Sequence, residues 1–138
     1  MRAMKGSSRR RAVIIAGGAL VIVGVWFIER LDDRPAQVEV RVPDLSAAAE
    51  AGQLAFDRSC ARCHGPHARG SATAPPLVHP TYRRAHHADV AFEFAVQRGV
   101  RAHHWRFEDM PPQPTVTAPE ISQITRYVRE LQAANGID

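Results

Sequence analysis

The chain of 138 residues has room for one modest domain and an appendage, and its formal net charge at pH 7 is +4. The excess charge is confined to residues 1–43, which contain eight Lys/Arg and four Asp/Glu, whereas residues 44–138 contain ten of each. Because the larger part of the chain is formally neutral, it is not the strongly basic domain that binding to a nucleic-acid backbone requires.

The first 28 residues have the charge and hydropathy pattern of an export segment. Residues 1–11 carry five basic side chains and no acidic one, which predicts a cytoplasmic basic segment. Residues 12–28 follow without a charge, and a helix of that length extends about 26 Å, near the lower limit for crossing a bilayer. The sequence just beyond Trp26 lacks the small residues of a cleavage site. We therefore expect an uncleaved transmembrane anchor, with a cleaved signal peptide as the alternative, and both would place the remaining chain in the bacterial periplasm.

Residues 29–43 mix charges of both signs with two prolines and an alternation of valines. The alternation is compatible with a short strand, but Pro35 and Pro43 bracket it and no partner strand is evident. We predict an extended linker between the membrane segment and a domain that covers residues 44–138.

A helix is predicted to begin near Asp44, where Asp44 or Ser46 can cap it and small or apolar side chains recur at spacings of three and four. Gly52 lies inside this pattern, although a glycine in a helix interior costs about 1 kcal/mol relative to alanine. Close approach of a second helix would compensate for that cost. A glycine that is simply tolerated on an alanine-rich helix is the alternative.

The chain has two cysteines, and both belong to the motif Cys60-Ala61-Arg62-Cys63-His64. This spacing is typical of c-type haem attachment, in which both cysteines form thioethers and the histidine ligates the iron. A thioredoxin-like dithiol also uses Cys-x-x-Cys, but it should follow a strand, and no strand-like pattern precedes the motif. A mixed Cys/His metal site is a further alternative, since histidines could replace the thiols that a zinc site lacks.

After this motif the sequence predicts one long loop and two further helices. Turn residues interrupt residues 65–80, as is acceptable where a loop wraps a cofactor. Residues 88–98 form a helical pattern, with Val90 and Phe94 expected to face inward and Ala91 and Val96 as further candidates for that face. The last helix begins with the capping box Thr117-Ala118-Pro119-Glu120. The predicted fold class is all-α, with three main helices and extended loops around a group that is not protein.

Five short stretches form a recognisable set: Gly52 and Phe56, Cys60 to Gly65, Pro75-Pro76-Leu77, Asp109-Met110-Pro111-Pro112, and Tyr127 to Leu131. Taken together, these stretches resemble those of a class I (mono-haem) c-type cytochrome. The resemblance covers roughly residue 44 to the C-terminus. It implies one covalent haem c attached through Cys60 and Cys63, with His64 as an axial ligand of the iron.

The resemblance also implies how the haem is surrounded. The first and last helices should cross so that Gly52 and Phe56 meet Ile124 and Tyr127. His64 should donate its second ring N–H to the backbone carbonyl of Pro75, which fixes the orientation of the imidazole. Leu77 should pack on the haem face.

Met110 is the predicted second axial ligand, because the family places its ligand methionine in a proline-rich loop before the last helix. Thioether ligation favours the reduced iron. The rival ligands are two adjacent histidine pairs, His86-His87 and His103-His104, which could deliver an imidazole instead. The same four histidines could also hold a second metal such as copper.

The resemblance implies one-electron transfer between redox partner proteins, by a carrier that is not itself an enzyme. The predicted anchor at residues 12–28 would tether this carrier to the cytoplasmic membrane. A haem enzyme or gas sensor with an open or histidine-ligated sixth position is an alternative. A haem subunit of a larger membrane oxidoreductase is another. The sequence contains no evident carboxylate pair, phosphate-binding loop or Ser/His/Asp set, which argues against an independent hydrolase or transferase.

Overall fold

A computed structural model describes residues 37–137 of the chain, and this part is mostly helical. Its elements in chain order are α1 (Ala47–Ser59), α2 (Ala61–His64), the 3₁₀ turns Pro66–Ala68 and Pro80–Tyr82, α3 (Asp89–Arg98) and α4 (Ala118–Ala134). Across this described range there is no β-strand, and Val100 pairs with Met110 in an isolated antiparallel bridge. The three helices predicted from the sequence are therefore confirmed as α1, α3 and α4.

The segments predicted at residues 1–11 and 12–28, a basic segment and a membrane anchor, lie outside the described residues. From residue 37 to residue 137, no helix is long and apolar enough to span a membrane.

The described part of the predicted linker, residues 37–43, lies against the domain. The backbone N–H of Val38 donates to the carbonyl of Arg69 at 2.9 Å. The backbone N–H of Arg41 donates to Oδ1 of Asn135, also at 2.9 Å. Because the side chain of Val38 also packs against the hydrophobic core, this stretch is part of the folded body.

Helix α1 begins where Ser46 caps it. The Ser46 hydroxyl accepts a hydrogen bond from the N–H of Ala49 at 3.3 Å, which satisfies one of the free donors at the helix start. The same residue is tied to α4, since its N–H and its hydroxyl donate to the two carboxylate oxygens of Glu130 at 3.0 and 2.7 Å. The cap therefore fixes both the start of α1 and its position along α4.

Helices α1 and α4 pack closely at Gly52. A Cβ built on Gly52 would lie 2.0 Å from the carbonyl oxygen of Gln123, so only a glycine allows the two backbones to approach this far. One turn later the rings of Phe56 and Tyr127, both fully buried, meet edge to face at 5.6 Å between centroids. This confirms the predicted contact between the first and last helices and explains the glycine inside α1.

Helix α3 presents only part of the predicted face to the core, since Val96 is buried as expected and Val90 and Phe94 are not. Val96 is buried and Phe92 packs against the core, whereas Val90 and Phe94 are 50% and 43% exposed. The prediction that Val90 and Phe94 face inward is therefore wrong within the described protein. The reason is that the guanidinium of Arg129 lies over the ring of Phe92, 4.8 Å from the centroid of that ring. This contact sets the rotation of α3.

Arg129 of α4 joins three parts of the fold. Its side chain is 8% exposed, and it donates to the carboxylate of Asp89 at 2.8 Å, the carbonyl of Tyr82 at 2.7 Å and Oε1 of Gln132 at 2.6 Å. It also donates to the carbonyl of His87. A buried guanidinium needs such a set of acceptors to offset its desolvation, and here they fix the segment between the second 3₁₀ turn and α3.

Candidate haem-binding site

The cysteine motif is wound into a helical turn that continues from α1. The N–H of Cys60 donates to the carbonyl of Phe56 at 2.7 Å, and the N–H groups of Cys63 and His64 donate back to the carbonyl of Cys60 at 3.0 and 2.9 Å. Residues three and four apart in a helical turn share a face. The two thiols and the imidazole are therefore presented to the same side of the chain.

The two thiols are free and differ in their surroundings. Cys60 is half-buried and Cys63 is exposed. Burial raises the pKa of the Cys60 thiol to about 11, and its proximity to Cys63 adds to the increase. A dithiol redox site requires a cysteine with a lowered pKa that is a thiolate at neutral pH, so the chemistry of Cys60 does not favour that alternative.

His64 is buried, and the structure fixes which of its ring nitrogens can bind a metal. Nδ1 lies 2.9 Å from the carbonyl oxygen of Pro75. Because a carbonyl can only accept a hydrogen bond, Nδ1 carries the proton and Nε2 keeps its lone pair. Burial lowers the pKa of His64, which favours the neutral imidazole. The contact with Pro75 implied by the family resemblance is confirmed.

Leu77 is held in place through its backbone on both sides. Its N–H donates to the carbonyl of Ala68 at 2.8 Å, and its carbonyl accepts from Nε2 of Gln132 at 2.8 Å. Its side chain is half-buried and packs against the hydrophobic core. The loop after the cysteine motif is therefore fixed against α4 at Leu77.

Met110 lies on a second anchored segment. Its N–H and carbonyl both pair with Val100 at 2.9 Å, so residues 100–110 form a loop closed at its base. Gly99 precedes this base with φ +75°, and a Cβ there would lie 2.4 Å from the Met110 carbonyl. Inside the loop, the N–H of Ala102 donates to Asp109 at 2.9 Å. The backbone of Met110 thus has a defined position, and its side chain is half-buried.

Comparison with known proteins assigns the family. The family model described as Cytochrome c matches residues 49–132, which is more than half of the chain. This chain belongs to the cytochrome c family. No curated protein matches it, and no solved structure matches it.

Membership in this family means that the cytochrome carries covalently bound haem c. The described donor set fits that group. Cys60 and Cys63 are unpaired thiols on one face of a helical turn, and the imidazole that follows them has its Nε2 lone pair available.

The sequence did not predict that Ser71 supports this motif. The Ser71 hydroxyl donates to the carbonyl of Cys63 and accepts from the N–H of Thr73 at 2.9 Å. The stretch Gly70-Ser71-Ala72-Thr73 has the composition of a serine-centred turn, which was the available signal. In the folded cytochrome this turn satisfies the last carbonyl groups of α2.

The four candidate histidines of the two adjacent pairs come together in one cluster. His86, His103 and His104 are exposed and His87 is half-buried, so the cluster lies at the surface of the cytochrome. One ring nitrogen from each of three histidines, His86, His87 and His104, lies within 4.8 Å of the other two. A second metal on these four histidines was one of the alternatives raised by the sequence, and the structure brings the two pairs together although they belong to separate loops.

Proposed function

We propose that this cytochrome is a class I one-electron carrier in which haem c is attached through Cys60 and Cys63 and the iron is ligated by His64 and Met110. The observation that carries the proposal is the contact between His64 Nδ1 and the Pro75 carbonyl at 2.9 Å. It orients the imidazole and leaves Nε2 as the metal-binding atom. Pro75 and Leu77 would form part of the haem environment.

The anchored position of Met110 supports its role as the second axial ligand. When bound, haem supplies an iron that cycles between the ferric and ferrous states. The chain would supply an imidazole on one side and a thioether on the other, which keeps water and oxygen away from the metal. Both donors come from segments fixed by backbone hydrogen bonds, so little rearrangement would accompany electron transfer.

Visible spectra of the holoprotein test the axial ligands. We expect the weak far-red band of sulfur-to-iron ligation in the ferric wild type, its loss in Met110→Ala, and its retention in the control Glu108→Ala on the same loop. Rapid, stoichiometric binding of carbon monoxide by the wild type would instead support a haem enzyme or gas sensor. Persistence of the band in Met110→Ala would refute ligation by Met110.

We further propose that residues 12–28 tether the cytochrome to the bacterial cytoplasmic membrane as a single-pass anchor, with the haem domain in the periplasm and redox proteins as its partners. The uncharged run and the basic residues before it support this. Washing membranes from expressing cells with alkaline carbonate tests the tether. Retention of an intact-mass chain in the membrane supports it, and release of a shortened chain would show a cleaved signal. Co-purification from detergent with a second redox protein would favour a subunit of a larger oxidoreductase.

A further inference from the structure

Two segments that are separate in sequence bring four imidazoles into contact. His86 and His87 precede α3, and His103 and His104 lie on the loop closed by Val100 and Met110. The ring centroids of His87 and His104 are 5.1 Å apart, those of His86 and His104 are 5.4 Å apart, and those of His103 and His104 are 4.2 Å apart. Three of the four side chains are exposed. On its inner side the cluster packs against Tyr82, whose ring centroid is 5.0 Å from that of His87.

One close contact within the cluster joins two ring nitrogen atoms. Nε2 of His87 lies 3.4 Å from Nε2 of His104, which is longer than an ordinary hydrogen bond of about 2.9–3.0 Å. Two nitrogens bound to one tetrahedral zinc ion at about 2.0–2.1 Å each are separated by about 3.3–3.4 Å. The observed separation therefore matches that of two ligands of one metal ion.

The protonation of His87 agrees with this geometry. Its Nδ1 lies 2.8 Å from the backbone carbonyl of Thr81, so Nδ1 must carry the proton and Nε2 has its lone pair free. A ring N–H donated to a backbone carbonyl is the usual support for a histidine that binds a metal. His103 has the same arrangement, with Nδ1 lying 2.8 Å from the carbonyl of Arg101.

The rigid fold holds His87 at this position. Arg129 donates to the carbonyl of Tyr82, which precedes the first histidine pair, and to the carbonyl of His87 itself. Asp89, a nearby carboxylate, is paired with Arg84 and Arg129, so imidazoles are the available donors.

We propose that His86, His87 and His104 bind one divalent transition-metal ion through one ring nitrogen each. His103 lies next to the site, with its ring centroid 4.2 Å from that of His104. An all-imidazole donor set suits zinc or copper and not magnesium or calcium, which prefer oxygen ligands. The separation of the two Nε2 atoms is that expected for a tetrahedral zinc site, so zinc is the ion we propose. The site uses neither of the proposed iron ligands, His64 and Met110, and it rests on that assignment, because a histidine bound to the iron could not serve the second metal.

Titration of the untagged holoprotein with zinc chloride, followed by calorimetry, tests the proposal. We expect one zinc ion per haem, and at least about tenfold weaker binding in His86→Ala and, separately, in His104→Ala, since each removes one ligand. The control Arg101→Ala keeps all four imidazoles and should bind zinc as tightly as the wild type or more tightly. The visible spectrum of each variant reports whether the haem domain is intact.

X-ray absorption at the zinc edge then identifies the donors, because the haem iron absorbs at a different edge. We expect three or four imidazole nitrogens at about 2.0–2.1 Å. Absence of stoichiometric zinc binding, equal affinity in the wild type and in both histidine variants, or a donor set of oxygen or sulfur would each overturn the proposal. The axial ligands of the iron have their own test in the spectra of Met110→Ala, so failure of one proposal is distinguishable from failure of the other.

Discussion

Gly52 of α1 lies against the backbone carbonyl of Gln123 in α4, so closely that an added Cβ would be 2.0 Å from the carbonyl oxygen and 2.4 Å from its carbon. The atoms it would meet belong to the main chain of a helix, which cannot move aside as a flexible side chain can. The two helices therefore owe their separation to the absence of one methyl group.

Gly52→Ala is expected to destabilise the holoprotein by about 3 kcal/mol or more, at the upper end for overpacking, because the clash is with backbone atoms. Equilibrium denaturation followed by far-ultraviolet circular dichroism measures the change. Ala48→Ser, on the exposed face of the same helix, adds one atom without a clash and should change stability by less than about 0.5 kcal/mol. Equal stability of Gly52→Ala and the wild type would mean that the helices do not approach this closely.

The start of α4 provides a second prediction. The N–H and the hydroxyl of Thr117 donate to one carboxylate oxygen of Glu120 at 2.9 and 2.8 Å. Thr117→Ala is expected to lower the free energy of unfolding by about 1 kcal/mol, the usual effect of losing a cap. Thr115→Ala, an exposed threonine just before the helix, is the matched control and should have no measurable effect. A larger loss of stability in Thr115→Ala than in Thr117→Ala would contradict the capping role.

Arg129→Lys should lower the free energy of unfolding, although the positive charge is kept. A lysine cannot reproduce the fork of donors that serves Asp89, Tyr82 and Gln132, and the burial of this position leaves the unmatched groups without water. We expect a loss of about 3 kcal/mol in a denaturation experiment. The control is Arg126→Lys on the same helix. Arg126 forms an exposed ion pair with Glu130 that contributes no more than about 0.5 kcal/mol. Similar losses in the two variants would be inconsistent with the buried network.

Asp89 should contribute to the loss of stability in acid. Burial alone would raise the pKa of Asp89, but the hydrogen bonds from Arg129 and Arg84 hold it below its ordinary value of 3.8. A carboxyl group whose pKa is depressed by folding stabilises the protein above the unfolded-state pKa, and this stabilisation disappears as pH falls through the folded-state pKa. Since Asp89 is half-exposed, solvent screening limits its contribution to about 1 kcal/mol.

The corresponding measurement is the free energy of unfolding at neutral pH and below about pH 4. Asp89→Asn should be less stable than the wild type at neutral pH, and the difference should shrink in acid, where the wild-type carboxyl is protonated. Glu93→Gln, on the exposed face of α3, controls for the loss of a charge. A difference between Asp89→Asn and the wild type that stays constant with pH would rule out a linked titration.

Local signals predicted most of the helical fold. Three features depend on residues within a few positions of one another, and the structure contains all three. They are the capping box at Thr117, the serine cap at Ser46 and the glycine inside α1 at position 52. The contact of His64 with Pro75 is implied by the family resemblance. Its geometry depends on a loop with no periodic pattern.

What the sequence could not predict depends on long-range contacts. Arg129 resembles a surface arginine in an amphipathic helix, and only the fold brings the acceptors from the loop around it. The rotation of α3, and with it the exposure of Val90 and Phe94, follows from that one side chain. The histidine pairs likewise converge because two loops close next to each other.

The pairing of Gly52 with Gln123 joins the beginning of the domain to its end, and this has a consequence for the order in which the protein matures. The chain is synthesised from its N-terminus, so the two thiols that follow α1 in the sequence emerge before the residues of α4 are made. During that interval Cys60 is not yet buried in the folded domain, and its pKa is therefore not yet raised by burial. Thioether formation therefore has its best opportunity on a chain whose last helix is still missing.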